Sequence, residues 1–211
     1  MLTSDARPPS EVLTKAASTY SGGLLADVVE RHIAEVRTAL AGISVVAVHG
    51  VVDAILRTHA ARGRVYVLGN GGSATTASHF ACDLSKATVA SQHSRLRVTA
   101  LSDNVALLTA WANDTEYGQV FAEPLRNLLD PGDLVIAISA SGNSDNVLEA
   151  VRVARSLGAV TIGLTGFGGG QLLAAANLTL VAESADYGVV EDCHLVLQHA
   201  IVAATRAALL A

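Results

Sequence analysis

Residues 65–86, Val65-Tyr66-Val67-Leu68-Gly69-Asn70-Gly71-Gly72-Ser73 running on into ATTASHFACDLSK, decide the fold. Val65 to Leu68 is a short apolar run rich in β-branched residues and reads as a buried strand. The glycine-rich turn Gly69 to Ser73 follows, and a helix-compatible stretch begins at about Ala74. A strand feeding such a turn at a helix N-terminus makes an anion site. Glycine lets the backbone approach closely, the first-turn N–H groups lack partners, and the helix dipole favours negative charge. One turn further in, His79 and Asp83 stand at i and i+4 on one helix face. The stretch therefore predicts a phosphate site with a metal or acid–base site beside it.

Downstream, strands and helices alternate. Apolar runs at 97–101, 134–138, 160–164 and 178–181 read as further strands, and helical patterns cover 105–112, 120–128, 172–176 and 190–210, with another ending near Leu157. Strands that are nearly all apolar, each followed by a helix, predict an α/β fold with a doubly wound five-stranded parallel sheet flanked by helices. Ligands in such sheets bind beyond the strand C-termini, where strand order reverses. Upstream, apolar residues from Leu24 to Leu40 and from Val45 to Leu56 follow a helical period, which predicts an N-terminal helical hairpin over 23–62. Such a prefix serves oligomerisation or covers one face of the sheet. The division expected is a tail with a short helix near Ser10-Glu11 over 1–22, the hairpin, and the α/β domain over 63–211.

Hydrophobic residues make up 51% of the 211, yet no stretch supplies the ~20 uninterrupted apolar residues of a membrane span. The excess of Ala, Val and Leu suits buried strands and packed helices. The N-terminus MLTSDARPPSEVL has no apolar signal core, so a cytoplasmic location is expected. Cys82 and Cys193 provide no disulfide framework and are expected to be small core residues. A net charge of −5 without a basic run argues against nucleic acid as the ligand.

Gly69-x-Gly71-x-x-Ala74 fits a relaxed dinucleotide fingerprint, but no acidic residue ends a strand about 20 residues later to hold a ribose. No Walker lysine is present either, because Gly72 is followed by Ser73-Ala74. The second loop is more informative. Ser139, Ser141 and Ser144 place three hydroxyls around Gly142-Asn143 at another helix N-terminus, an arrangement that suits a single phosphomonoester. The plainer account, an ordinary Ser/Asn cap, leaves three serines in six residues unexplained.

VLGNGGSATTASHFACDL and AISASGNSDNVLEAVRVARSLG resemble the sugar-isomerase (SIS) domain. The single-domain length, the helical prefix and the ending EDCHLVLQHAIV are similar to the phosphoheptose isomerase branch, the sedoheptulose 7-phosphate isomerases, over roughly residues 25–205. The resemblance implies a homotetramer with active sites at subunit interfaces. It implies a phosphate held by Ser139, Ser141 and Ser144 and a sugar contacted by Asn70 and Ser73; Gly71, Gly72, Asp103, Asn104 and Asn143 complete the substrate-binding residues expected. At Asp103 a substrate hydroxyl contact competes with a helix cap. The family's Zn²⁺ ligands fall on His79, Asp83, Glu191 and His199, and one ion per subunit is expected. The spacing makes sense by itself, since Glu191 and His199 are eight residues apart, two turns on one helix face.

The chain departs from the family pattern at several positions. Asp83 replaces a glutamate that also serves as a base, and Glu191 replaces a glutamine. Gly188 and Val189 stand where the heptose enzymes have an Asp-Arg pair, and Lys86 is the nearest substitute for an arginine after the first helix. The implied chemistry is aldose–ketose isomerisation through an enediol, with Glu191 or Asp83 as base and His199 as acid/base partner. His194, on the Glu191 face, is expected to support the site without ligating. The rival reading is a non-catalytic SIS binding module, of the replication-initiator-associating or sugar-phosphate-sensing kind. The two histidines and two carboxylates at metal spacing favour an enzyme. A sensor would carry a basic recognition helix that the acidic N-terminal segment does not offer.

Overall fold

The computed structural model describes residues 22–89 and 95–211, so the tail and short helix expected over 1–22 lie outside the described residues but for Gly22. The chain opens with α1 (Gly22–Ala41) and α2 (Val45–Ala60). The hairpin expected there is an open elbow, because the two axes bend by 71° at the break between them. Next come β1 (Val65–Gly69), α3 (Gly72–Lys86), β2 (Val98–Ala100), α4 (Val105–Asp114) and α5 (Ala122–Leu128). The rest is β3 (Leu134–Ile138), α6 (Asp145–Ser156), β4 (Val160–Thr165), α7 (Leu172–Ala175), β5 (Leu178–Val181) and α8 (Tyr187–Leu210).

The five strands form one parallel sheet in the order β2-β1-β3-β4-β5. From β1 the chain goes out to β2 on one side and returns to β3 on the other. The reversal falls between β1 and β3, which pair from Val65↔Leu134 to Gly69↔Ile138. Beyond the C-termini of those two strands lie the Gly69–Ser73 and Ser139–Ser144 loops, where α/β sheets bind ligands.

Both faces of the sheet are covered, so side chains alternate between two apolar layers. Val65, Val67, Ile136 and Ile138 point into a layer with Ile55 of α2, Phe80 and Leu84 of α3, and Ile201 of α8. Tyr66, Leu68, Val135 and Ala137 point the other way, against Leu125 of α5 and Val147 and Val151 of α6. Of the N-terminal pair, α2 is the helix that lies on the sheet, burying Val51, Val52, Ile55 and Thr58. By contrast α1 touches the domain near its C-terminal end, where Val36, Ala39 and Leu40 meet Val189 and Cys193 of α8. By composition α8 is apolar enough to cross a membrane, but here it packs on α1, α2 and α3 as a core helix. Cys193 is buried as expected; Cys82 is exposed, on the outer face of α3.

Candidate active site

The serine loop is set by backbone geometry. Gly142 sits at φ +66°, and its N–H donates to the Ser139 carbonyl at 3.0 Å. A Cβ there would collide with the Gly169 carbonyl. Ser144 occupies the N-cap of α6, yet its hydroxyl caps no backbone N–H. Instead it lies 3.1 Å from the Ser139 hydroxyl. Ser141 accepts the Asn143 N–H at 3.2 Å. The Asn143 side chain is committed to the fold, donating to the Ser141 carbonyl and accepting the Gln171 N–H, both at 3.0 Å.

The first loop packs against this one. A Cβ on Gly69 would come within 2.8 Å of the Ile138 carbonyl, so glycine is required for the loops to meet. Gly71 takes φ +53° and starts α3 two residues earlier than the sequence suggested, with no side chain capping the helix. Asn70 is bound up in a clasp: it donates to Asn146 at 2.8 Å, accepts from Asn146 at 2.9 Å, and accepts the Tyr117 hydroxyl at 3.0 Å. Its side chain ties the two loops together, whereas the resemblance assigned it to the sugar. Asn70, Ser73, Ser139, Ser141, Ser144 and Glu191 line one cavity of about 160 Å³, with Tyr187 at its edge.

Glu191 is there because Gly72 has no side chain. Its carboxylate fills the space a Cβ would take, 2.6 Å from Oε1 to that position. The other three expected metal ligands gather elsewhere, where α3 meets α8. His79 Nε2 is 3.3 Å and His199 Nε2 3.7 Å from Asp83 Oδ2, and the ligand atoms of the three residues lie within 4.8 Å of one another. The two imidazoles meet edge to face, 5.0 Å between centroids. Gln198 donates from Nε2 to the same Asp83 oxygen at 3.1 Å. Two imidazoles and one carboxylate within that radius are a donor set that fits Zn²⁺. Of the four expected ligands, His79, Asp83 and His199 come together, and Glu191 faces the serine cavity.

The SIS domain family matches residues 30–166. The chain belongs to the SIS-domain family, in its phosphoheptose isomerase branch. It is 42% identical over 149 residues to the phosphoheptose isomerase of Mycobacterium tuberculosis, covering 71% of this chain and 76% of that one. It is 34% identical over 174 residues to a probable phosphoheptose isomerase of Thermoplasma acidophilum, covering 82% and 95%. Among solved structures, the phosphoheptose isomerase of Neisseria gonorrhoeae superposes with a TM-score of 0.80 at 31% identity, covering 87% of this chain and 99% of that one. The sheet order and flanking helices are those of this branch, and the chain is an isomerase. These relatives do not favour the binding-module alternative.

The remaining candidates of this SIS domain separate by location. Asp103 accepts the Ser78 hydroxyl. The cap of α4 is Asn104, which accepts the Leu107 N–H at 3.0 Å, so Asp103 is not the helix cap. Both line a wide cleft of about 590 Å³ on the β2 side of α3, with Ser78, Cys82 and Ser85. His194 is 1% exposed, and burial pushes its pKa down to about 4 against an opposing pull from the Thr165 backbone. Sequence reasoning gave no site role to Tyr187, which stacks on Phe167 at 4.7 Å, or to Asn146, Tyr117 and Gln198. Of these, only Gln198 carried a signal: it stands at i+4 from His194, beside His199.

Proposed function

We propose that this isomerase interconverts sedoheptulose 7-phosphate and a heptose 7-phosphate through an enediol. The observation that carries the reading is the shared cavity of the serine loop and the Glu191 carboxylate. The names of the relatives support the substrate. In this mechanism Ser139, Ser141 and Ser144 hold the phosphate, helped by the uncapped N-terminus of α3. Glu191 or Asp83, the latter beside His199, removes the proton from the carbon beside the carbonyl and returns it to the former carbonyl carbon. His199 exchanges protons with the two oxygens, so that carbonyl and hydroxyl trade places with no net change in atoms. Each such group contributes roughly 10²–10⁴-fold. His79, Asp83 and His199 would hold Zn²⁺, which would supply positive charge that stabilises negative charge on a substrate oxygen.

The working unit is a homotetramer with sites at subunit interfaces, supported by the exposed apolar residues Leu24, Leu25, Val28, Val29 and Ile33 of α1. The test is one assay: purified protein, with added Zn²⁺ or chelator, given sedoheptulose 7-phosphate in deuterated water and followed by NMR. Metal-dependent conversion with deuterium at the carbon beside the carbonyl is expected. Deuterium uptake without product would keep the enediol and change the sugar. Neither signal, with no bound metal, would return the chain to the binding-module reading. His199→Ala is expected to abolish turnover while phosphate-ester binding persists.

A further inference from the structure

The end of the sheet opposite the serine loops carries a second concentration of charge. Gly63 leads into β1, Arg95 and Arg97 lead into β2, and His59 and Arg62 lie at the end of α2. These five residues line one cavity of about 230 Å³. Three arginines thus line one small volume in a chain of net charge −5. Elsewhere Arg57, Arg64, Arg126 and Arg152 are each ion-paired to a carboxylate. Among the described residues, no ion pair joins a carboxylate to Arg62, Arg95 or Arg97. Asp133, buried beside Gly63, is committed to the backbone N–H groups of Arg64 at 2.7 Å and Asp130 at 3.0 Å.

The backbone at this corner is held in an uncommon conformation. Arg62 sits at φ +63°, the left-handed region where a helix end usually places glycine. Its N–H donates to the His59 carbonyl and the Gly63 N–H to the Thr58 carbonyl, both at 2.9 Å. The Arg62 carbonyl in turn accepts Arg97 Nη1 at 3.0 Å. The turn therefore anchors one edge of the Arg97 guanidinium. The dipole of α2 accounts for basic residues in its own last turn. It does not account for Arg95 and Arg97, which arrive from a separate segment of the chain.

We infer that this cavity is a second anion site, which takes the phosphate group of a small phosphorylated metabolite. Guanidinium forks match phosphate oxygens bidentately, and an anion relieves the mutual repulsion of the three arginines. The volume admits a phosphoryl group with a short carbon chain. The site lies at strand N-termini, whereas the serine loops lie at strand C-termini, so it acts apart from the isomerase cavity. His59 alone among its lining residues has acid–base character, so the site binds and does not react.

Tungstate and inorganic phosphate are the probes, used on the full chain. Crystals soaked in tungstate should show tungsten anomalous density between Arg62, Arg95 and Arg97. Inorganic phosphate at ten times its Kd should raise Tm by about 3–6 °C in a Ser139→Ala/Ser144→Ala variant, whose isomerase cavity is disabled. An Arg95→Gln/Arg97→Gln variant should keep wild-type turnover and, on the same serine-deficient background, lose that shift. Density confined to the serine loop overturns the inference, as does a shift that survives the arginine substitutions. Density here without any shift means an adventitious ion only, and overturns it as well.

Discussion

Three nitrogens converge on one oxygen of Asp83: Gln198 Nε2 at 3.1 Å, His79 Nε2 at 3.3 Å and His199 Nε2 at 3.7 Å. Of the three, only the Gln198 side chain is fully buried, and its amide N–H fixes where the carboxylate points. A ligating carboxylate depends on support of this kind. Gln198→Leu is therefore expected to weaken Zn²⁺ binding by roughly 10–100-fold, read by competition with a chromophoric chelator. Unchanged affinity would mean that the helices alone aim Asp83. One turn earlier, His194 has its pKa pushed down to about 4 by burial. The unfolded chain accepts a proton at this histidine below pH ~6.5 and the folded chain refuses it until near pH 4. Its contribution is thus complete above pH ~6.5 and is lost as the pH falls toward 4, by on the order of 3 kcal/mol. Denaturant unfolding at pH 7 and pH 5 should show a smaller acid loss for His194→Leu than for the wild type.

At the scale of the element, the central strands were legible because burial on both faces leaves an uninterrupted apolar run, as in Leu134–Ile138. The run Arg97 to Leu101 overstated β2, which pairs only with β1 and turns into a short 3₁₀ segment at Leu101. Helix starts were less legible, since they depend on backbone states that periodicity does not report. Gly71 at φ +53° admits α3 at Gly72, and Asp186, accepting the Val189 N–H at 3.0 Å, starts α8 at Tyr187. Of the site, the serine loop and the histidine pair were visible as local patterns. The Asn70–Asn146 clasp joins residues 76 positions apart and left no such trace. Glu191 stands apart from the histidine pair for a geometric reason: eight residues are about 12 Å of helix, so sharing a face with His199 is not sharing a point. Its carboxylate depends instead on the missing side chain of Gly72. Gly72→Ala puts a methyl into the carboxylate, whose flexible end must move. The fold should survive, by circular dichroism, while kcat/KM falls on the order of 10²-fold, the cost of a displaced catalytic group.

At the scale of the whole molecule, the unit from α2 onward closes its own core, and α1 does not. The helix is attached at its C-terminal end by Val36, Ala39 and Leu40, and at its middle by His32, whose Nε2 lies 2.8 Å from Asp192 Oδ2 of α8. Its N-terminal half presents Leu25, Val29 and Ile33 at i, i+4 and i+8, all more than half exposed. A stripe of that period is built to be buried, and no other described element covers it. An isolated helix of 20 residues is marginal in water, so under the proposed homotetramer this one would gain order by packing against a second chain. Each apolar side chain covered there contributes roughly 1.5–3 kcal/mol. Val29→Asp with Ile33→Asp removes two of them and adds two like charges per chain to the interface. The double variant should keep the α/β domain folded by circular dichroism but run as a smaller species in light scattering. If the sites are shared between subunits, isomerase activity should fall with protein concentration in parallel with that dissociation. An unchanged mass would assign the stripe to some other partner, and activity independent of concentration would place each site within one chain.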